Sequence, residues 1–128
     1  MKLLGNVHTN LWTRAEVVAF LQHSYSKFEY RNIGIIIQLA YELRQQYKEI
    51  FLLKWCDVDL TWDNNILILL DKQKEDFGFQ EYVAPQIRPH KGKYIPYSKY
   101  RFSKVCRKII NECTGIRSTL KVRYLLYS

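Results

Sequence analysis

The chain has 128 residues, enough for one domain with a real core and too few for several. Its 48% apolar content excludes a disordered chain, and no apolar run approaches the ~18 residues that span a bilayer. The net charge of +8 is uneven: residues 84–128 hold eleven Lys/Arg against one acid, Glu112, whereas residues 1–83 hold nine against eleven. A polyanion is the natural partner of such a final third, with nucleic acid ahead of an acidic protein or a membrane surface. The bland alternative is a solvated basic face.

At the amino terminus, Met1–Asn6 lacks the apolar core of a signal peptide. Thr13 and Glu16 form a capping-box pair, and Val17, Leu21, Tyr25 and Phe28 then recur at helical spacing, which predicts a helix over about 14–28. A second helix is predicted over about 31–47, striped by Ile33, Ile36, Ile37, Ala40, Leu43 and Tyr47 and broadened by Ile35 and Leu39. Gly34 weakens its start slightly.

Glu49–Asp59 follows, with Ile50 and Leu53 on one helical face and an alternating Cys-Asp-Val-Asp exit. Asn64-Asn65 is a turn signal ahead of the apolar run Ile66–Leu70, so residues 58–61 and 66–70 are expected to pair as a hairpin. The charged stretch Asp71–Asp76 is expected as an exposed turn, and Phe79–Ala84 as a third strand ending at Pro85. An irregular basic loop spans 85–97. A last helix is predicted from Ser98 to Cys113, with Phe102, Val105, Cys106, Ile109, Ile110 and Cys113 on one stripe and Gly115 as its stop. The conformation of the tail, 114–128, stays open.

The expected fold is therefore α+β, mostly helical, with a small antiparallel sheet over about 58–84, in one domain spanning 1–128. The expected core is Val17, Leu21, Ile33, Ile36, Ile37, Leu43, Ile50, Leu53, Trp55, Ile68, Val105 and Ile109, with Trp55 alternatively half-exposed at an interface. Cys56, Cys106 and Cys113 are odd in number and lack CxxC spacing, which fits buried thiols in a reducing, cytoplasmic setting. His8, His23 and His90 are too scattered for a metal site, and no cofactor is expected.

The wording Glu49-Ile-Phe-Leu-Leu-Lys-Trp55-Cys-Asp57-Val-Asp59 resembles the first box of the tyrosine recombinases, the phage-integrase family, in which an arginine-bearing helix runs into E-x-x-x-L-x-W-x-D-x-D. Thr13–Val17 resembles the helix start that opens the family's catalytic domain. The resemblance covers roughly residues 12 to 113, the amino-terminal half of that domain. It implies duplex DNA as partner, DNA integration and recombination as the lineage's activity, and self-association on DNA. The implied chemistry is attack of a tyrosine on a phosphodiester, with arginines clamping the transition-state charge and a turn lysine protonating the leaving oxygen.

Anchored on Glu49 through Trp55, the family's first arginine falls on Gln46, which can donate a hydrogen bond but carries no charge. Placing Arg44 there instead needs two extra residues in a packed helix, a rotation of about 200°. Lys74, then Lys72, matches the turn lysine, with Lys91 and Lys93 as a third option. No histidine follows His90 to supply the second box, H-x-x-R, and Tyr124 and Tyr127 lie too near the last helix to be the nucleophile. The chain is thus expected to be an incomplete recombinase-like protein, inactive alone. DNA binding is expected from Arg88, Lys91, Lys93, Lys99, Arg101, Lys104, Arg107 and Lys108, interleaved with Tyr94, Tyr97 and Tyr100. The alternatives are a non-catalytic DNA-binding regulator and a small basic protein that binds an acidic partner.

Overall fold

The computed structural model describes residues 11–87, 94–122 and 125. Among them run the helices α1 (Arg14–Ser26), α2 (Phe28–Leu43), α3 (Tyr47–Phe51), α4 (Asn64–Phe77) and α5 (Lys99–Glu112), with a 3₁₀ turn at Trp55–Asp57. The chain divides into two compact units. One holds the described residues up to Gly34 and from Tyr100 on, and the other holds Ile35–Lys99, so the division falls inside α2.

In the first unit, α1 starts as its capping box dictates. The Thr13 hydroxyl accepts from the Glu16 amide at 3.1 Å, and the Glu16 carboxylate accepts from the Thr13 amide at 2.9 Å. Helix α1 stops where Lys27 turns extended (φ −126°, ψ 130°), and α2 begins at once. Gly34 explains its own presence in α2: a Cβ there would lie 2.8 Å from Tyr25 Cε1 and 3.1 Å from Ser24 Cβ, so a side chain would press on the Tyr25 ring and on Ser24. Trp12, Phe20, Tyr30 and Ile33 are buried in this unit, as are Phe102, Val105, Cys106, Ile109 and Ile110 on one face of α5. The segment after α5 adds Ile116, Leu120 and Leu125.

In the second unit, α2 buries Ile35, Ile36, Ile37, Leu39 and Ala40. Its end is set by Arg44, whose φ of 56° is left-handed, and the Gln45 amide reaches back to the Ala40 carbonyl at 3.0 Å. This is the six-to-one bond of a Schellman-type cap, at a position where glycine is the usual residue. Helix α3 opens at Gln46, whose amide donates to Glu49 Oε1 at 2.8 Å.

The expected antiparallel sheet is not there. Among the described residues no strand forms, and the only bridge is an isolated antiparallel one between Lys54 and Tyr82. The run Ile66–Leu70, expected as a strand, lies in α4, and the Asn64-Asn65 pair expected as a hairpin turn is its first turn. Asp63 caps it, its side chain accepting from the Asn65 amide at 2.9 Å. Five apolar residues fit either period, and the longer window decides. Ile66, Leu70, Gln73 and Phe77 are buried at steps of four, three and four, a helical stripe, whereas Ile68 is 58% exposed. Asp71–Asp76, expected as an exposed turn, is therefore helical.

Phe79–Ala84, the expected third strand, is irregular chain held at three points. The Trp55 amide donates to the Glu81 carbonyl at 3.1 Å, the Val83 amide to the Leu53 carbonyl at 3.0 Å, and the Gln73 side chain to the Val83 carbonyl at 2.9 Å. Of the expected core, Ile33, Ile36, Ile37, Ile50, Val105 and Ile109 are buried. Val17, Leu21, Leu43, Leu53 and Trp55 are half-buried. The predicted 31–47 helix starts three residues earlier and ends four earlier than expected. The thiols are not uniformly buried either: Cys106 is, Cys113 is half-buried and Cys56 is exposed.

Candidate nucleic-acid interface

Helix α5 concentrates the basic residues of the chain. Its apolar stripe turns inward, so Arg101, Lys104 and Lys108, at steps of three and four, fall together on the opposite, exposed flank. Tyr100 stands beside them, 75% exposed, with Lys104 Nζ 5.9 Å from its ring centroid. Lys99 is exposed at the first position of the helix. Arg107 has a different duty. Its guanidinium donates to the Ser118 carbonyl at 2.6 Å and the Leu120 carbonyl at 2.7 Å, fastening the segment after α5 back onto the helix. Lys91 and Lys93, with Arg88, lie outside the described residues.

The acid Glu112 ends α5 and is held from elsewhere in the same unit. Its Oε2 accepts from the Tyr30 hydroxyl at 2.7 Å, and its Oε1 accepts from Lys27 Nζ at 3.2 Å and from His23 Nε2 at 3.1 Å. The carboxylate can only accept, so the proton on that histidine sits on Nε2. The Tyr30 hydroxyl, then His23 and Lys27, hold the Glu112 carboxyl down to about 2. Tyr30 is held well above the usual phenol range, by burial and then by its bond to Glu112, so it stays a donor. Lys108 Nζ lies 5.9 Å from the Tyr30 ring centroid and Lys27 Nζ 5.5 Å.

A second charged clamp closes the first unit. Glu16, only 5% exposed, receives the Arg117 amide at 3.0 Å, Arg117 Nε at 2.9 Å and Arg117 Nη2 at 2.9 Å. The same guanidinium donates to the Leu11 carbonyl at 2.6 Å. Hydrogen bonds led by that of the Arg117 side chain bring the Glu16 carboxyl down to about 2 against the opposing effect of burial. Trp12 adds its indole N–H to the Lys121 carbonyl at 2.9 Å.

Compared with known proteins, the chain matches no family model, no curated protein and no solved structure.

The residues matched to recombinase chemistry sit on different elements of the second unit. Arg44 and Gln46 occupy the short turn between α2 and α3, both exposed, Arg44 as the left-handed cap residue and Gln46 as the residue before α3. Lys72 and Lys74 are exposed on α4, not on a turn between strands. Two residues apart, they point about 200° from each other around that helix, so one face cannot present both. No helix among the described residues is long and apolar enough to cross a membrane.

Sequence reading missed the Glu112 cluster and the Glu16–Arg117 clamp. Their partners are 82 to 101 positions apart, beyond any local pattern. One signal was available for the first: Glu112 is a solitary acid in a strongly basic third of the chain.

Proposed function

We propose that this protein binds double-stranded DNA through its phosphate backbone, without reading base sequence, and that the exposed basic flank of α5 is the contact surface. One observation carries the reading. Arg101, Lys104 and Lys108 form an exposed ridge, while the single acid of residues 84–128 is engaged by Tyr30, Lys27 and His23 and does not neutralise them. From Arg101 to Lys108 the helix rises about 10.5 Å. A duplex presents about six phosphate charges over that distance, so all three cations find counterparts and release condensed counterions. The Tyr100 hydroxyl adds a neutral donor for phosphate or sugar.

The shared wording with the tyrosine recombinases supports DNA as the polyanion. Strand cleavage is not part of the proposal. Gln46 brings no positive charge to a phosphate, and Lys72 and Lys74 lie on a helix without the strand-to-strand turn on which the resembled family carries its lysine.

The test is a salt titration of binding to a labelled duplex of arbitrary sequence. Wild-type affinity is expected to be micromolar or weaker at physiological salt. Replacing Arg101, Lys104 and Lys108 by alanine should flatten the log–log salt slope by up to about 2.7 units, with the far-ultraviolet spectrum unchanged. Arg107 is left intact because it holds the Ser118 and Leu120 carbonyls. Removing Lys48, Lys72 and Lys74 changes the net charge equally and should change the slope much less. Equal losses from the two triple variants would reduce the effect to net charge, and a polyglutamate that competes as well as duplex would point to an acidic protein partner instead.

A further inference from the structure

The Glu112 cluster places three donors from the α1–α2 junction on one carboxylate. Tyr30 Oη, Lys27 Nζ and His23 Nε2 converge within 3.2 Å of its oxygens, and Lys108 of the basic ridge shares the Tyr30 ring with Lys27. A hydroxyl, an ammonium and an imidazole N–H aimed at one anionic group are also the donor set that holds a phosphate oxygen. Around Tyr30, itself buried, the cluster reaches the surface: the side chains of His23, Lys27 and Glu112 are 22%, 46% and 31% exposed. At this exposure solvent and salt screen the Lys27–Glu112 ion pair. The fit extends to the neighbourhood, because Lys108 belongs both to the α5 ridge and to the surroundings of Tyr30.

We propose that Lys27, His23 and Tyr30 form a second phosphate-contacting patch continuous with the α5 ridge, and that Glu112 occupies it as an internal phosphate mimic until a DNA backbone displaces it. The proposal rests on the duplex-binding reading and extends its footprint from α5 to the α1–α2 junction. Glu112 thereby sets the number of phosphates the protein neutralises. With Glu112 in place, Lys27 is spent on the carboxylate and adds nothing to binding. With Glu112 neutralised, Lys27 adds one phosphate contact, worth about 0.9 units of salt slope and about fivefold in affinity near 0.15 M salt.

The experiment is a cycle on the full chain, Glu112→Gln and Lys27→Ala singly and together, titrated with labelled duplex at several salt concentrations. Glu112→Gln keeps an acceptor for the Tyr30 hydroxyl and should bind about fivefold more tightly with a slope steeper by about 0.9. Lys27→Ala alone should change affinity less than twofold, and Lys27→Ala in the Glu112→Gln background should erase the gain. Glu75→Gln makes the same charge change on α4 and should leave the slope unaltered. The idea is overturned if Glu112→Gln and Glu75→Gln have equal effects, or if Lys27→Ala costs as much in wild type as in the variant. If thermal melting shows that Glu112→Gln does not fold, Glu112→Asp takes its place. It keeps the charge but shortens the arm, and it should still bind more tightly than wild type, an unchanged affinity overturning the proposal. A wild-type duplex affinity unaffected by the α5 triple substitution, with the Glu112 cycle intact, would reject the α5 ridge and leave this patch standing.

Discussion

The two units are fastened by different chemistry. The first adds charged clamps to its apolar core: Glu16 with Arg117, Glu112 with Tyr30, Lys27 and His23, and Arg107 with the carbonyls of Ser118 and Leu120. The second closes through apolar burial and neutral amide bonds. Trp55 donates its indole N–H to the Phe77 carbonyl at 3.0 Å, and Gln73 reaches the Val83 carbonyl. Gln86 bonds the Ile95 carbonyl through its backbone and the Pro96 carbonyl through its side chain. Its Lys54–Glu81 ion pair is largely exposed, so it contributes little. The contrast teaches where pH will act. Carboxylates tie distant parts of the first unit together, whereas in the second Glu49 and Asp63 cap the starts of their own helices.

The largest effect should come from the apolar unit. Phe77 is fully buried at the end of α4, and Phe77→Ala is expected to cost about 3–5 kcal/mol. It should lower the urea midpoint equally at low and high salt. A strongly salt-dependent loss would break the contrast between the units.

The charged unit should respond next. Arg117→Ala leaves Glu16 nearly buried without its partner. The Arg117 side chain is 42% exposed, so solvent screening keeps the expected loss well below that of Phe77→Ala. The double variant Glu16→Gln/Arg117→Ala should lose less than the two single losses summed, because no buried charge is left. Strict additivity in chemical denaturation would show that the pair does not interact.

Acid titration sharpens the comparison. The Glu16 and Glu112 carboxyls both stand near 2 in the folded chain against an ordinary value of 4.5. Their folded values are lowered, so their stabilisation is complete above about 4.5 and is lost as pH falls from there toward 2. Wild type should therefore lose stability steadily over that window, and Glu16→Gln should flatten the decline. An identical decline in Glu16→Gln would remove the clamp from the account of acid sensitivity.

The smallest effect concerns the turn after α2. Arg44 sits at φ 56° with its side chain exposed. Arg44→Gly should relieve the left-handed strain, offset in part by greater freedom of the unfolded chain, for a net gain of about 0.5–1 kcal/mol in thermal or urea unfolding. A loss would mean that the Arg44 side chain contributes more than its backbone costs.

What the sequence determined by itself is local. The capping box at Thr13 and Glu16 fixed the start of α1, and the three- and four-residue steps from Phe102 to Ile110 fixed α5 and, by exclusion, its basic flank. These patterns repeat within a few residues and need no distant partner to be read. Residues 66–70 were ambiguous because five apolar residues in a row satisfy both a two-residue and a 3.6-residue period. Only packing showed which of them are buried, and Ile66, Leu70 and Phe77 came out on one side of a helix. The clamp duties of Glu16, Arg107, Glu112 and Arg117 were decided by tertiary structure alone. An ion pair closed across a hundred residues leaves no trace in local spacing, since a charged residue looks the same in sequence whether it faces water, a phosphate or another part of its own chain.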